Sequence, residues 1–249
     1  MKSKTRVTLC LCLFVPLCLC AYVSLYGQGF RRFFIQQNDP PPTELIMARW
    51  KFGTNGLIGH MGWSHNYPTS EQHLNQLILE ATEIDVQPAS YRIVELGTDE
   101  VFKYPFAYVS EPGEMELTSQ EVVNLREYIE RGGFILVDDF DGPVQLRQFR
   151  SQLKRAFPDR DLFPLTVDHQ VFRNFFTIDQ LNVVAPYLVG GDPIFYGFPN
   201  GRGDISLVAC YNDDLANFWD WIDQPRYPLK PSVEAFRLGI NFVMYAMTH

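Results

Sequence analysis

Short apolar runs, bounded by turn-forming residues, alternate along this chain with stretches of helical periodicity. The clearest run begins at Phe134, where four large apolar residues lead directly into Asp138 and Asp139. A continuous apolar run of this length is typical of a strand that is buried on both faces of a sheet. The predicted strands cover residues 44–52, 91–96, 105–109, 134–139, 163–167 and 205–211.

Helices are predicted between several of these strands, where apolar residues recur every three or four positions. Two helices begin at capping boxes, residues 69–72 and 118–121, and Gly132-Gly133 ends the second. The other predicted helices cover residues 144–157, residues 215–221 after the N-cap sequence Asn212-Asp213-Asp214, and the chain end from the N-cap Ser232. Strand–helix–strand order implies a parallel sheet with right-handed crossovers. We therefore predict an α/β domain, a three-layer sandwich with a mostly parallel central sheet.

The first 42 residues differ in composition from the rest of the chain. A basic start precedes an uncharged apolar segment at residues 7–26, which fits either a cleaved signal peptide or a retained membrane anchor. In both cases we expect the following domain to be exported. The predicted division is residues 1–30 as signal peptide or N-terminal membrane anchor, residues 31–42 as a Pro-rich linker, and residues 43–249 as the α/β domain.

Charge and cysteine usage exclude two classes of protein. The net charge is −8, and nucleic-acid binding is not expected because contacts to phosphates require clustered Lys and Arg. Four of the five cysteines lie within the first 20 residues, which leaves Cys210 alone in the domain. A disulfide framework within the domain is therefore excluded, and core packing must hold the fold together.

Carboxylates at the end of the central strand are the first candidate site. Ligands of open α/β sheets bind outside the carboxyl ends of the strands, where Asp138, Asp139 and Asp141 are expected to lie. They could hold a hard cation or act as general acids and bases. Because neighbouring strand residues point to opposite faces, Asp138 and Asp139 can share a ligand only if the strand has ended. The alternative is that one of them caps a helix or pairs with Arg147 or Arg150 while the other is solvated.

Asp168 and His169 form the second candidate, in a turn after the predicted strand at residues 163–167. An aspartate can orient an imidazole for base catalysis or metal binding. The alternative is structural, with Asp168 capping the next turn and His169 packed on aromatic side chains. Convergence of His169 with the end of the central strand would favour the functional interpretation.

The third candidate is the loop after the first strand, which contains His60, Trp63 and His65. It should lie at the same sheet edge as Asp139, and its Gly, Asn and aromatic residues suit the rim of a sugar or peptide site. The alternative is a packed loop with exposed histidines. Asp213 closes another strand and could add a carboxylate to this edge, although capping of the next helix is the favoured role.

The order and spacing of several stretches resemble the bacterial exported proteins of domain-of-unknown-function family 4159. The matching stretches are Ala48-Arg49, Phe102-x-Tyr104-Pro105-Phe106-x-Tyr108, Leu125-Arg126-x-Tyr128-Ile129-x-x-Gly132-Gly133-Phe134, Asp138-Asp139, Phe149-Arg150, Asp168-His169-x-Val171-Phe172, Tyr211-Asn212-Asp213 and Leu238-Gly239-x-Asn241-x-x-x-Tyr245. The resemblance implies a fold similar to class I glutamine amidotransferases and flavodoxin-like sheets. It implies no particular activity, because a fold does not determine function.

A glutaminase would need a cysteine on a sharp strand-to-helix turn with small neighbours. The central strand ends in Asp139 instead, and Cys210 is followed by Tyr211 without a flanking glycine. We interpret Cys210 as a small buried apolar residue. Glutaminase activity is therefore not expected.

The resulting functional hypothesis is a cell-envelope protein, anchored facing the periplasm or exported, that binds a ligand or partner at the carboxyl edge of the sheet. No cofactor is expected; the partners are the membrane, through the N-terminal segment, and other envelope proteins. Contact with such proteins would require an exposed apolar patch near Phe175-Phe176 or residues 219–221. The alternative is a hydrolase or metal-dependent enzyme, with a divalent metal and a carbohydrate substrate as options, that uses Asp138, Asp139 and His169.

Overall fold

The computed structural model describes residues 35, 37–57, 59–182 and 191–249. The predicted leader, residues 1–30, lies outside the described residues, as does part of the predicted linker. Among the helices that are described, none is both long and apolar enough to cross a bilayer.

Seven strands form one sheet, in which β4 is central and every one of its residues is buried. The strands are β1 (Met47–Lys51), β2 (Tyr91–Glu95), β3 (Phe106–Ser110), β4 (Phe134–Phe140), β5 (Phe163–Pro164), β6 (Ile194–Pro199) and β7 (Ile205–Tyr211). Their order is β2-β1-β3-β4-β7-β6-β5. The first five strands in this order pair in parallel, whereas β6 runs antiparallel to both β5 and β7. The predicted α/β class with a mostly parallel sheet is confirmed.

Helices flank this sheet in two groups. They are α1 (Thr69–Ala81), α2 (Ser119–Glu130), α3 (Gly142–Ala156), α4 (Leu215–Asp220) and α5 (Leu229–Thr248). Helices α1, α4 and α5 pack on one another, and α2 packs on α3. Trp219 of α4 is almost completely buried and contacts the rings of Tyr108 and Phe236. The segment at residues 219–221 is thus anchored in the core, whereas Phe175 is 40% exposed.

Most element positions agree with the sequence prediction, and the differences have local causes. The box at residues 118–121 is confirmed, since the Thr118 hydroxyl accepts from the Glu121 N–H and the Glu121 carboxylate accepts from the Thr118 N–H. The box at residues 69–72 is wrong, because α1 follows Pro68 without a side-chain cap. Ser232 is also not a cap, because α5 begins at Leu229 and encloses it. Strand β6 was not predicted. It forms a hairpin with β7, and residues 200–204 make the turn between them.

Candidate functional site

The carboxyl ends of β1, β3, β4 and β7 meet at one edge of the sheet, because these four parallel strands are neighbours in the order β1-β3-β4-β7. Polar side chains follow each of them. The loop after β1 carries His65, Glu111 follows β3, Asp139 lies near the end of β4, and Asp214 follows β7. The topology therefore brings together residues that are far apart in the sequence.

Asp139 departs from regular strand geometry. Its φ is 62°, in the left-handed region, and the pairing of β4 with β7 shifts register between Val137 and Phe140. A side chain other than glycine in this conformation costs about 1–2 kcal/mol. The kink breaks the alternation of faces that the sequence pattern implied, because Asp138 and Asp139 accept from Tyr108 and Ser110, which share one face of β3.

The Asp139 carboxylate joins two other strand ends. Its Oδ2 lies 2.5 Å from Nδ1 of His65 and accepts a hydrogen bond of 3.0 Å from the Ser110 hydroxyl. The side chain of Asp139 is 8% exposed and that of His65 is 47% exposed. The hydrogen bond that the Asp139 carboxylate accepts raises the pKa of His65, and burial opposes this effect. The result is an imidazole that is open to solvent and held by a buried carboxylate.

The buried side chain of Arg49 in β1 fixes the His65 loop through hydrogen bonds to its backbone. Its Nη1 donates to the carbonyl oxygens of Trp63 (3.1 Å) and His65 (2.9 Å), and its Nε donates to Glu71 Oε1 at 2.6 Å. The guanidinium is fully buried and lies 4.3 Å from the centre of the Tyr108 ring. Glu71 thus neutralises a buried arginine, whereas Gln72, the fourth residue of the predicted capping box, donates to the Tyr91 hydroxyl at 3.0 Å instead.

Glu114 supports the same loop from the segment after β3. Its carboxylate accepts from the N–H groups of His60 and Gly62, each at 3.1 Å. A Cβ atom at Gly62 would lie 2.7 Å from Glu114 Oε2, so glycine is needed for this close approach. The loop is also tied to α4, because Asn66 Nδ2 donates to Asn217 Oδ1 at 2.7 Å. These bonds fix the position from which His65 reaches Asp139.

Asp138 is fully buried and has its own set of partners. Its Oδ2 accepts from the Tyr108 hydroxyl (2.8 Å) and from the Ala216 N–H in the first turn of α4 (3.0 Å). Its Oδ1 has no hydrogen-bond partner among the described residues. Burial, together with the charge of Asp139, raises the pKa of Asp138 to about 6. The capping alternative is met only in part. Asp138 accepts from the first turn of α4 without being its N-cap, and Asp139 is buried rather than solvated. Arg150 pairs with Asp161 instead.

Asp213 and Asp214 follow β7 and have different roles. Asp214 is the N-cap of α4, where its Oδ1 accepts from the Asn217 N–H at 2.9 Å, which confirms the predicted capping at this sequence. Asp213 is buried, and its Oδ2 is without a hydrogen-bond partner in the part of the chain that is described. Burial and the charge of Asp138 raise the pKa of Asp213 well above its usual range.

Three of these residues approach one another closely enough to share one ligand. His65, Asp139 and Asp214 each offer one donor atom, and the three atoms lie within 4.8 Å of one another. Glu111 adds a fourth group from the end of β3. Burial, followed by the charge of Asp139, raises the pKa of Glu111 to about 8.

Backbone strain is concentrated at this edge. The described residues other than glycine with positive φ are His60, Asn66, Glu111, Asp139 and Asn212. Each lies at or after the end of β1, β3, β4 or β7. Such conformations cost of order 1 kcal/mol or more each and cluster at functional sites.

Asp168 and His169 lie elsewhere. They follow β5, and two strands lie between β5 and β4. Strands β4 and β5 are therefore about 14 Å apart across the sheet. The His169 ring is 6.5 Å from the Tyr245 ring, which packs on Phe134 at the opposite end of β4 from Asp139. Asp168 pairs with Arg173 at the surface. The structure therefore does not bring His169 to Asp138 and Asp139, and the proposed three-residue site is incorrect in this respect.

The remaining candidates lie near the edge with other contacts. Nδ1 of His60 is 2.7 Å from the Thr54 hydroxyl, and the indole of Trp63 is buried and donates to the His60 carbonyl. Trp63 thus supports the loop from inside and offers no exposed ring. Asp141 lies at the start of α3, and its side chain does not cap that helix.

Sequence reasoning missed Ser110, Glu111 and Arg49 as parts of this edge, and it regarded Asp214 only as a helix cap. Ser110 and Glu111 come directly after the predicted strand at residues 105–109, which was an available signal. Cys210 is completely buried, and burial raises the pKa of its thiol well above the usual range. It therefore lacks the properties of a nucleophile.

The sequence was also compared with known proteins. A family model described as "Domain of unknown function (DUF4159)" matches residues 48–247. The matched range includes Arg49, His65, Asp139 and Asp214. A search of curated proteins found no match.

Proposed function

The chain belongs to the DUF4159 family, and from this premise we propose that it is a cell-envelope protein that binds a polar ligand at the carboxyl edge of its sheet. The strongest support is the convergence of His65, Asp139 and Asp214 at the carboxyl ends of β1, β4 and β7. Ligands of open α/β sheets bind at this edge.

The order of the first four strands supports the same position. The order β2-β1-β3-β4 is that of a flavodoxin-like sheet, in which the ligand crevice opens between β1 and β3. We infer that the domain is flavodoxin-like and related in fold to the class I glutamine amidotransferases. The His65 loop follows β1 and Glu111 follows β3, so both flank the expected crevice.

The accessibility of the groups supports binding. The imidazole of His65 is half-exposed while its partner Asp139 is buried. A ligand can therefore reach the ring, and the carboxylate fixes its orientation. Glutaminase activity is not part of the proposal, because the strand end carries Asp139 and the thiol of Cys210 is enclosed in the core.

A second candidate function is hydrolysis, and the His65–Asp139 pair favours it. A histidine held by a carboxylate can act as a general base toward water. Ser110 would not be the nucleophile, because its hydroxyl donates to Asp139 rather than to His65 and is fully buried. This version of the enzyme hypothesis replaces His169 by His65.

The envelope location is proposed from residues 1–30, whose apolar segment is preceded by basic residues. Fractionation of cells that produce the tagged full-length protein tests it. We expect the protein in the envelope fractions. Recovery in the cytosol alone would contradict this part of the proposal.

The binding proposal is tested by a thermal-shift screen of the full-length protein against sugars, short peptides, nucleotides and divalent cations. We expect at least one ligand to raise the melting temperature of the wild type and of His60→Gln, and not that of His65→Gln. His60 is the matched control because it lies in the same loop and bonds to Thr54 instead of Asp139. Equal shifts in both variants, or no shift with any ligand, would contradict the proposal.

A further inference from the structure

We propose that the ligand of this site is a divalent transition-metal ion of the Zn²⁺ or Mn²⁺ type, held by His65, Asp139 and Asp214. This inference rests on the proposed function, because it names the ligand of the same site.

The spacing of the three donor atoms fits a single ion. They lie within 4.8 Å of one another. In a tetrahedral site with metal–ligand bonds of about 2.0–2.2 Å, two ligands of one ion lie about 3.3–3.6 Å apart. Closing a separation of 4.8 Å therefore requires a movement of about 1.2–1.5 Å, to which rotation of the half-exposed His65 ring can contribute.

The donor set selects the class of ion. One imidazole nitrogen and two carboxylate oxygens suit Zn²⁺ and Mn²⁺. Ca²⁺ takes six to eight oxygen ligands, and a histidine nitrogen would replace one of them. Three protein ligands also leave a coordination position for water, as in catalytic metal sites.

The charge around the site favours a cation. The strand ends bring the carboxylates of Asp138, Asp139, Asp213 and Asp214 to one edge, all of them buried. The nearby buried cation, Arg49, is already paired with Glu71 at 2.6 Å. A divalent ion would add positive charge beside these carboxylates, where His65 pairs with Asp139.

Two buried oxygens beside the ligands provide a second, independent observation. Asp138 Oδ1 and Asp213 Oδ2 have no hydrogen-bond partner among the described residues, and these residues directly precede Asp139 and Asp214. Buried polar atoms of this kind are rare and are found at catalytic groups and beside ions or water. They occur here next to both carboxylate ligands.

The ligands are also held in place before any ion binds. Arg49 bonds to the carbonyl of His65, and the left-handed backbone of Asp139 fixes its carboxylate. Asp214 is fixed as the N-cap of α4. Such pre-arranged ligands lose little conformational freedom when an ion binds.

Equilibrium dialysis of the full-length protein with Zn²⁺ and with Mn²⁺, after removal of metals, tests this inference. We expect one ion per chain, and a Kd at least about tenfold higher in His65→Gln, Asp139→Asn and Asp214→Asn. Asparagine is as good an N-cap as aspartate, so Asp214→Asn keeps α4 while it removes the charge. Circular dichroism verifies that each variant is folded, and His60→Gln and Asp168→Asn should bind like the wild type.

Failure of the wild type to bind either ion would overturn the inference. So would unchanged affinity in His65→Gln and Asp214→Asn, which would assign the ion to another place. If a non-metal ligand is lost in His65→Gln while neither metal binds, the proposed binding site stands and the metal assignment falls. If His65→Gln alters the binding of no ligand at all, both fall together.

Discussion

Nδ1 of His65 lies 2.5 Å from Oδ2 of Asp139, although 74 positions separate the two residues in the chain. The bond connects the loop after β1 with the strained end of β4. Because Ser110 donates to the same oxygen, three strand ends are coupled through one atom. Most properties of the site should therefore respond to changes at Asp139.

The first prediction concerns the ionisation of His65. The hydrogen bond that the Asp139 carboxylate accepts raises the pKa of His65 above 6.5. The pair therefore stabilises the fold fully below pH 6.5, and this contribution is lost as pH rises through the folded-state pKa. We expect NMR titration of metal-free protein to give a His65 pKa above 6.5, and a lower pKa in Asp139→Asn. A His65 pKa that is the same in both proteins would show that the bond does not form in solution.

The second prediction concerns Glu111, whose pKa is raised from 4.5 to about 8 by burial and by Asp139. The unfolded chain loses this proton near pH 4.5 and the folded chain near pH 8, so the folded state loses stability as pH rises between these values. Glu111→Gln should therefore be more stable than wild type at pH 8, by about 1 kcal/mol after screening by solvent.

Urea unfolding at pH 4.5 and pH 8, with EDTA present, measures this difference. The two proteins should differ little in stability at pH 4.5, where Glu111 is protonated in the folded state and about half-protonated in the unfolded state. A Glu111→Gln variant that is less stable than wild type at pH 8 would contradict the prediction.

The third prediction concerns Arg49 and its buried pair with Glu71. Arg49→Met leaves the Glu71 carboxylate buried without its partner and should cost about 3–5 kcal/mol. Lys51→Met is the control, because Lys51 lies two residues away and its pair with Glu95 is exposed. That change should cost no more than about 1 kcal/mol. Similar losses in the two variants, measured by urea unfolding, would argue against the buried pair.

The fourth prediction separates the two capping boxes of the sequence. Thr118 caps α2 with both reciprocal bonds, whereas α1 has no side-chain cap. Thr118→Ala should therefore lower the free energy of unfolding by about 1 kcal/mol, and Thr69→Ala should lower it much less. Thermal unfolding of the two variants compares them directly. A larger loss in Thr69→Ala would mean that α1 begins differently in solution.

The sequence predicts those parts of the fold that depend on local pattern. The apolar run at Phe134 predicts β4, and the helical spacing of apolar residues predicts α3. Both signals lie in the local order of apolar and polar residues. Strand β6 carries Gly197 and Pro199 and has no such signal. Its pairing with β7 depends on a hairpin rather than on its own composition.

The site was predictable only in part, for a topological reason. His65 and His169 both follow predicted strands, and the sequence offers no measure of how far those strands lie from β4. The insertion of β7 and β6 between β4 and β5 moves His169 away. The left-handed backbone of Asp139 and the hydrogen bond from Arg49 to the His65 carbonyl depend on tertiary contacts, which a local sequence pattern does not predict.

The hydrogen bond between Asn66 and Asn217 spans 151 positions of the chain. Its partners come from distant parts of the chain, and bringing them together closes a long loop at a cost in entropy. The edge with His65 and Asp214 is therefore complete only when both parts of the domain are folded. A ligand bound there would recognise only completely folded molecules, so its binding would report the integrity of the whole sheet rather than of any fragment.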